Sequence, residues 1–470
     1  PFNPVYGEVE RDMISEILKN QLIGIVGADR YRDDIETIIA HSYDAFVVES
    51  NADAVIFPIS TDEVAQIVSL ASAHDIAITP RGEGSNLSGG TIPLKGGIVL
   101  SFTKMNKIVE INTPDRYAIV QPGVINGDLQ KALAKEGFFY PPDPSSFTFS
   151  TLGGNVGENA GGPRCLKYGV TSDYLLGMEV VLPSGKVIRV GSRNVKDVTG
   201  YRLTSLFCGS EGTLGVITEI TLRVVAKPEA VRTILAVYND LDDTARTVSD
   251  IIGSGLVPAA MELMDKVVVN HVEDAAQLGL PRQAEGILLI DADGDKVAVE
   301  RQMDRIIEKV RANGAIEVKE AKNDEEREEL WLARRSAHGV LSQLAPNCMT
   351  EDATVPVSKV PTMIKGIRAI LDKHRIKAGV LAHAGDGNMH PVITADARDK
   401  EEMERVEAAS AEIFELAASL GGTLSGEHGI GLAKAKHLPL VMDENTIEFM
   451  TTIKNAIDPK GIMNPGKFIF

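Results

Sequence analysis

The stretch Thr151-Leu152-Gly153-Gly154-Asn155-Val156-Gly157-Glu158-Asn159-Ala160-Gly161-Gly162, preceded by Pro141-Pro142-Asp143-Pro144-Ser145, decides how this chain is read. Glycines lack a Cβ, so they can take positive φ and turn several backbone N–H groups onto one face, making a nest for an anion such as a pyrophosphate. Two further segments share the texture: Pro80-Arg81-Gly82-Glu83-Gly84-Ser85-Asn86-Leu87-Ser88-Gly89-Gly90 and Gly209-Ser210-Glu211-Gly212-Thr213-Leu214-Gly215-Val216-Ile217. A single run of this kind is explained as a tight turn. Three of them, mixing glycine with Ser, Thr or Asn donors, shift the balance toward a large phosphate-bearing cofactor. None has the dinucleotide fingerprint or the helix-opening lysine of an ATP site.

Around these loops, short β-branched runs at Ile98 to Phe102, Ala118 to Gln121, Glu179 to Leu182, Val187 to Val190 and Gly215 to Val225 predict strands, with a hairpin at Pro183-Ser184-Gly185. Helical spacing at Thr61 to His74 and Gly127 to Glu136 makes 51–226 a mixed α/β domain. Residues 1–50 read as a helical cover, through Ile14, Ile17, Leu18, Ile25, Ile35, Ile38 and Ile39. After Lys227-Pro228, strand and helix alternate again: Val231 to Val237, Asp240 to Ile252, Gly286 to Asp291, Asp295 to Ala312, and the helix Glu401 to Leu420. That pattern predicts an α+β domain over 227–420 with an antiparallel sheet, followed by a C-terminal segment 421–470.

The chain has 470 residues, 66 acidic against 48 basic, and a formal charge of -18. So acidic a molecule repels phosphate backbones and anionic membranes, which argues against nucleic acid as a partner. Cys165, Cys208 and Cys348 are too few and too scattered for a disulfide framework, an all-cysteine zinc site or an iron–sulfur cluster, and a reducing cytoplasm fits them best. No window approaches the roughly 20 apolar residues of a membrane span, and Pro1 to Asn20 lacks the order of a signal peptide.

Together the three loops resemble the cofactor segments of the vanillyl-alcohol-oxidase (VAO/PCMH) type of FAD-binding fold, a two-lobed α+β build. The nearest resemblance is to the FAD-linked D-2-hydroxyacid dehydrogenases, the group that includes D-lactate dehydrogenases and the catalytic subunit of glycolate oxidase. It reaches the closing segment Asp458-Pro459-Lys460-Gly461-Ile462-Met463-Asn464-Pro465-Gly466-Lys467, which is similar to the family's segment beside the flavin. The resemblance implies FAD contacts from Pro80, Arg81, Gly82, Gly84, Ser85, Asn86, Gly89 and Gly90 in the first loop. In the second it implies Pro142, Asp143, Ser145, Thr151, Gly153, Gly154, Asn155, Gly157, Asn159, Gly161 and Gly162. Glu211, Gly212, Gly215, Val216, Ile217 and Asn464 complete the set. Some members of the wider fold attach FAD through a histidine of the first loop; Arg81 to Gly90 has none, so the flavin is expected to be noncovalent.

Four of the nine histidines, His383, His390, His428 and His437, fall after position 380. In His383-Ala384-Gly385-Asp386-Gly387-Asn388-Met389-His390 a strand end and a tight turn can aim two rings at one point, and Ser425-Gly426-Glu427-His428-Gly429 adds a carboxylate and a third ring. Two imidazoles and a carboxylate suit Zn, Mn or Fe(II) equally. The resemblance implies His383, His390 and Glu427 as metal ligands and His428 as the base. Asp386 orients an imidazole or caps the turn, with neither reading preferred. A substrate carboxylate calls for a cation, and Trp331-Leu332-Ala333-Arg334-Arg335 offers two; the resemblance favours Arg334 as the clamp, against pairing with the acidic run Asn323 to Leu330.

These positions imply an FAD-dependent, metal-assisted oxidation of a small D-2-hydroxyacid. D-lactate comes first; glycolate and D-2-hydroxyglutarate are the alternatives, the last weakened by apolar Val392 two places after His390. A metal-dependent hydrolase and a non-catalytic electron-transfer flavoprotein are the readings from other classes. With no cluster-binding cysteines of its own, the chain is expected to pass electrons to a protein acceptor, an electron-transferring flavoprotein or an iron–sulfur subunit.

Overall fold

The computed structural model describes residues 14–468; residues 1–13 of the expected N-terminal cover lie outside the described residues. The chain divides into two compact units.

One unit gathers residues 14–161, Val170–Lys227 and the stretch from Glu427 onward. Its smaller sheet orders the strands Tyr31–Arg32, Ala54–Ile56, Ile98–Ser101 and Ile78–Arg81. Ala54–Ile56 and Ile78–Arg81 both run parallel to Ile98–Ser101, so the chain between them must cross over, and the helix Thr61–Ala73 does so. Ser60 caps that helix by accepting from Glu63 N, and Val64, Ile67, Val68 and Ala71 form its buried stripe. Each branched side chain buried there contributes roughly 2 kcal/mol before the entropy of ordering is subtracted. The larger sheet is antiparallel, in the order Ile108–Asn112, Tyr117–Val120, Val216–Arg223, Leu175–Val181, Val187–Gly191. Its last pair is the expected hairpin, closed by Gly185 at φ 78° with Val181 opposite Val187.

Two features differ from the sequence reading. The cover contains helices Glu16–Val26 and Ile35–Ala40, but Ile17, Ile35 and Ile39 face solvent at 76%, 60% and 53% exposure. Tyr31–Arg32 between them is a sheet edge, too short to carry an alternation. The second glycine run is partly helical, over Leu152–Glu158, because Thr151 caps it through Gly154 N and Asn159 ends it in the left-handed region at φ 56°.

The other unit comprises Gly162–Gly169 and Pro228–Gly426. Its eight-stranded sheet runs Glu317–Glu320, Ala230–Tyr238, Gly286–Gly294, Ala260–Asp265, Ala378–His383, Asn388–Ala395, Asn347–Thr350, with Ala353–Thr354 also on Asn388–Ala395. Every pair is antiparallel. Ala260–Asp265 was not anticipated, since Ala-Met-Glu-Leu-Met-Asp carries no β-branched residue, yet it lies in the middle of the sheet and is buried throughout. Residues facing each other across antiparallel strands share a face. Glu262 opposite His383, Met264 opposite Leu381 and Leu381 opposite His390 therefore put one glutamate and two histidines on the same side. Helices Lys266–Ala276 and Asp324–Leu341 cover that face through an apolar layer that includes Met264, Val268, Leu341, Leu381 and Val392. Segment Gly162–Gly169 is fastened to the unit by Lys167 Nζ on the Asp293 carbonyl (2.5 Å) and Tyr168 Oη on Asp293 Oδ2 (2.7 Å).

Candidate active site

In the first unit, the three glycine segments meet. Pro80, Arg81, Gly82 and Gly90, then Thr151, Gly153, Gly154 and Gly157, then Glu211, Gly212, Gly215 and Ile217 line one cavity, joined by Thr91, Phe102, Pro122, Glu158 and Ser210. Its wall is largely glycine and backbone, so N–H groups of all three segments line the same space. Among the described residues the remaining cofactor-segment positions stand outside the wall, and several shape it. Asn86 Oδ1 accepts from Ser88 N (2.8 Å) and Gly90 N (2.7 Å), which curls the first loop. Gly84 sits at φ 69°, a left-handed value that strains any L side chain, and a Cβ there would also push the Arg81 guanidinium aside. The Pro142 carbonyl accepts from Asn126, and Asn159 Oδ1 from Ser172 N (2.8 Å). Ser85, Gly89, Asp143, Ser145, Asn155, Gly161 and Val216 are not on the wall, and Gly162 falls in the other unit.

The C-terminal segment is bound to the same loops. Ile78 N donates to the Ile462 carbonyl and Asn464 N to the Ile78 carbonyl, each at 2.7 Å, while Asn464 Nδ2 reaches the carbonyls of Gly90 (2.8 Å) and Glu211 (2.7 Å). Glu211 Oε1 and Oε2 accept from Ile430 N and Gly431 N, both at 2.7 Å, and Ser88 Oγ donates to the His428 carbonyl at 3.1 Å. Glu211 and Asn464 adopt φ 52° and 41°, left-handed values that asparagine tolerates and that are unusual for a glutamate, here held by this bonding. His428 Nε2 lies 3.6 Å from Glu427 Oε1.

Charges that a sequence reading assigns to solvent are buried here. Burial pushes the Glu158 carboxyl well above the usual range, and the neighbouring Glu211 charge pushes it further. Burial raises Glu211 as well, against its two backbone donors, and raises Asp44. Burial lowers Lys467 to about 8, and its Nζ donates to the Ile92 carbonyl. Lys434 is 2% exposed. Glu158 and Glu211 stand inside the quoted glycine runs and Lys467 ends the quoted closing segment; Asp44 and Lys434 carry no local signal.

In the second unit His383 and His390 are each 3% exposed, with ring centroids 5.0 Å apart at 83°. His383 Nδ1 is 2.8 Å from both Glu262 oxygens, and His390 Nδ1 is 3.1 Å from the Glu351 carbonyl. A carboxylate and a carbonyl only accept, so both Nδ1 atoms carry the proton. In the neutral rings the Nε2 atoms then hold the lone pairs, the state in which imidazoles bind a metal. The donor set thus fits a divalent cation. Arg334 is 5% exposed and turns inward, its Nε donating to Glu262 Oε2 at 2.8 Å; the acidic run is paired by Arg335 instead, at 2.8 Å to Glu328. Sequence reasoning missed Glu262 and Asp352. Asp352 is fully buried and accepts from Ser425 Oγ (2.5 Å), and its carbonyl accepts from Gly426 N (3.1 Å), one residue before Glu427.

A cavity walled by three glycine loops, on a sheet pair closed by a returning C-terminus, defines a flavin-binding protein of the VAO/PCMH build. The FAD binding domain model matches residues 52–191, and the model "FAD linked oxidases, C-terminal domain" matches residues 227–468. The chain belongs to the FAD-linked oxidases. It is 48% identical over 456 residues to the glycolate oxidase subunit GlcD of Bacillus subtilis, covering 97% of each chain. It is 34% identical over 485 residues to the D-lactate dehydrogenase of Anaerostipes hadrus, covering 99% of this chain and 98% of that one. Among solved structures, p-cresol methylhydroxylase with substrate bound superposes with a TM-score of 0.80 at 17% identity, covering 96% of each chain. No helix among the described residues is long and apolar enough to cross a membrane.

Proposed function

We propose that this chain oxidises a small 2-hydroxyacid, glycolate or D-lactate, to the 2-oxoacid, and passes the electrons to a partner protein. The observation that carries this reading is the pair of buried imidazoles, His383 and His390, each with Nδ1 engaged by an acceptor and with Arg334 joined to the same carboxylate as His383. Relatives named for glycolate and for D-lactate support both substrates. Val392, fully buried in an apolar layer, offers no polar group to a second substrate carboxylate.

Bound FAD would supply the hydride acceptor. A divalent cation on His383, His390 and Glu427 would acidify the substrate hydroxyl. Arg334 binds the C1 carboxylate with its planar fork, which fixes the direction of the C2–H bond. His428 takes the hydroxyl proton as C2 loses hydride, so one proton and one hydride leave the alcohol and a ketone or aldehyde remains. The relative's description as a subunit supports a protein acceptor, an electron-transferring flavoprotein or an iron–sulfur subunit.

The test is anaerobic titration of the purified flavoprotein with glycolate, D-lactate, L-lactate and 2-hydroxyglutarate, before and after chelator treatment, following flavin absorbance near ~450 nm. Bleaching by glycolate or D-lactate, lost with chelator, is expected. Absence of bleaching by every acid refutes the proposal. His428→Ala should slow bleaching by about 100-fold or more; an unchanged rate from mildly acidic to mildly alkaline pH removes His428 as the base.

A further inference from the structure

The buried carboxylate of Glu262 joins Arg334 and His383, far apart in sequence, and both belong to the proposed reaction. It sits on the central strand Ala260–Asp265 with no exposed surface, directly opposite His383 in the register. Its Oε2 accepts from Arg334 Nε at 2.8 Å, and both its oxygens lie 2.8 Å from His383 Nδ1. We propose that Glu262 is a positioning residue that locks the metal-binding imidazole of His383 and the carboxylate-binding guanidinium of Arg334 into one fixed arrangement. The inference rests on the function proposed above.

A carboxylate withdrawn from water is tolerated only beside a compensating charge with good hydrogen bonds, and Arg334, itself buried, is that charge. With the glutamate neutralised by arginine, His383 need not be cationic to stay in place. It donates its Nδ1 proton, because the opposite tautomer would set an imidazole lone pair against carboxylate lone pairs at 2.8 Å. The lone pair of Nε2 is thereby fixed in direction. The same carboxylate holds Arg334 at Nε, on the side of the guanidinium away from the Nη fork, and so sets the plane in which the fork can meet an anion. A 2-hydroxyacid presents its hydroxyl and carboxylate at a fixed short spacing, and one rigid side chain here governs the spacing of the two groups that receive them.

Glutamine keeps the shape of Glu262 but removes the charge that balances Arg334 and turns one of the two oxygens into a donor, so an N–H comes to face the N–H of His383 or of Arg334 where an acceptor stood. In chelator-stripped protein titrated with Mn²⁺ by calorimetry, Glu262→Gln should bind the ion 10–100-fold more weakly than the parent. In the reloaded protein, KM for glycolate or D-lactate should rise more than kcat falls. His383→Ala serves as the control for the underlying reading: if it binds Mn²⁺ like the parent, the metal assignment fails and this inference with it. If His383→Ala loses the ion while Glu262→Gln keeps it within about twofold and leaves KM unchanged, the metal reading stands and the role of Glu262 is overturned. Should the glutamine variant not fold, solid-state nitrogen NMR of histidine-labelled parent protein decides. The His383 signal, identified by its loss in His383→Ala, must report a protonated Nδ1, and a protonated Nε2 overturns the proposal.

Discussion

Replacing Asp291 by Asn should change how the stability of the sheet-rich unit depends on pH, and the chain's single tryptophan is placed to report it. Asp291 lies on the same buried sheet face as Glu262, accepting from Thr233 Oγ1 at 2.6 Å and from Trp331 Nε1 at 3.0 Å. Burial raises its carboxyl from 3.8 to about 6, against the pull of those donors and of Arg327. A group whose folded pKa is raised stabilises the fold fully below its unfolded value, and that contribution is lost as pH rises through the folded one. The window is therefore pH ~4 to ~6, and the size is about 3 kcal/mol at roughly 1.4 kcal/mol per tenfold change in proton affinity. Asparagine does not titrate, so stability of Asp291→Asn minus that of the parent should rise by about 2 kcal/mol between pH ~4 and pH ~7, most of the full change. Denaturant unfolding followed by Trp331 emission at several pH values measures this difference, and Asp265, also raised to about 6, cancels in the subtraction. Trp331 emission in the native parent should itself titrate near pH 6 and fall flat in the variant. A difference that stays constant within about 0.5 kcal/mol across the range would refute the argument that Asp291 is held against its charge.

Gly429 has φ 84°, and a Cβ there would come within 2.1 Å of Glu158 Oε2; Gly429→Ala should therefore cost about 2–4 kcal/mol of stability and weaken FAD retention in a dialysis assay, and an unchanged melting temperature would count against that packing. Because Arg81 to Gly90 contains no histidine, acid precipitation should release all the yellow colour to the supernatant, and colour left in the pellet would show a covalent flavin.

How much of this was legible in the sequence depends on the distance over which each signal acts. The hairpin at Pro183-Ser184-Gly185, the crossover helix and the strands Ala230–Tyr238 and Gly286–Gly294 were readable because turn chemistry and periodicity are local. The glycine loops were readable as a group because a backbone cradle needs the same residue type wherever it is built. Ala260–Asp265 was not, and Glu262 with it, since methionine and leucine next to a glutamate fit helix and strand alike. His383 and Arg334 stand 121 and 72 positions away, and nothing near residue 262 announces them. Arg334 and Arg335 posed the complementary difficulty: adjacent arginines look equivalent in sequence, and only the helix's rotation turns one inward to Glu262 and leaves the other on Glu328.

The same reasoning explains how a chain with a charge of -18 holds a cofactor carrying a negative pyrophosphate. The field of surface carboxylates is weakened by water and salt, whereas groups at the cavity act at short range in a medium of lower dielectric constant. There, Asp44, Glu158 and Glu211 are all pushed toward their protonated forms by burial, while Arg81 stays a cation and Lys434 and Lys467 lie among them. An anion entering this region raises the proton affinity of the carboxyls further and that of Lys467 back toward its ordinary value, so negative charge arriving with a cofactor is met by protons taken up. Net charge summed over a sequence thus misstates the sign of the field at the loops, because the acidic residues that matter most there are the ones least able to stay ionised.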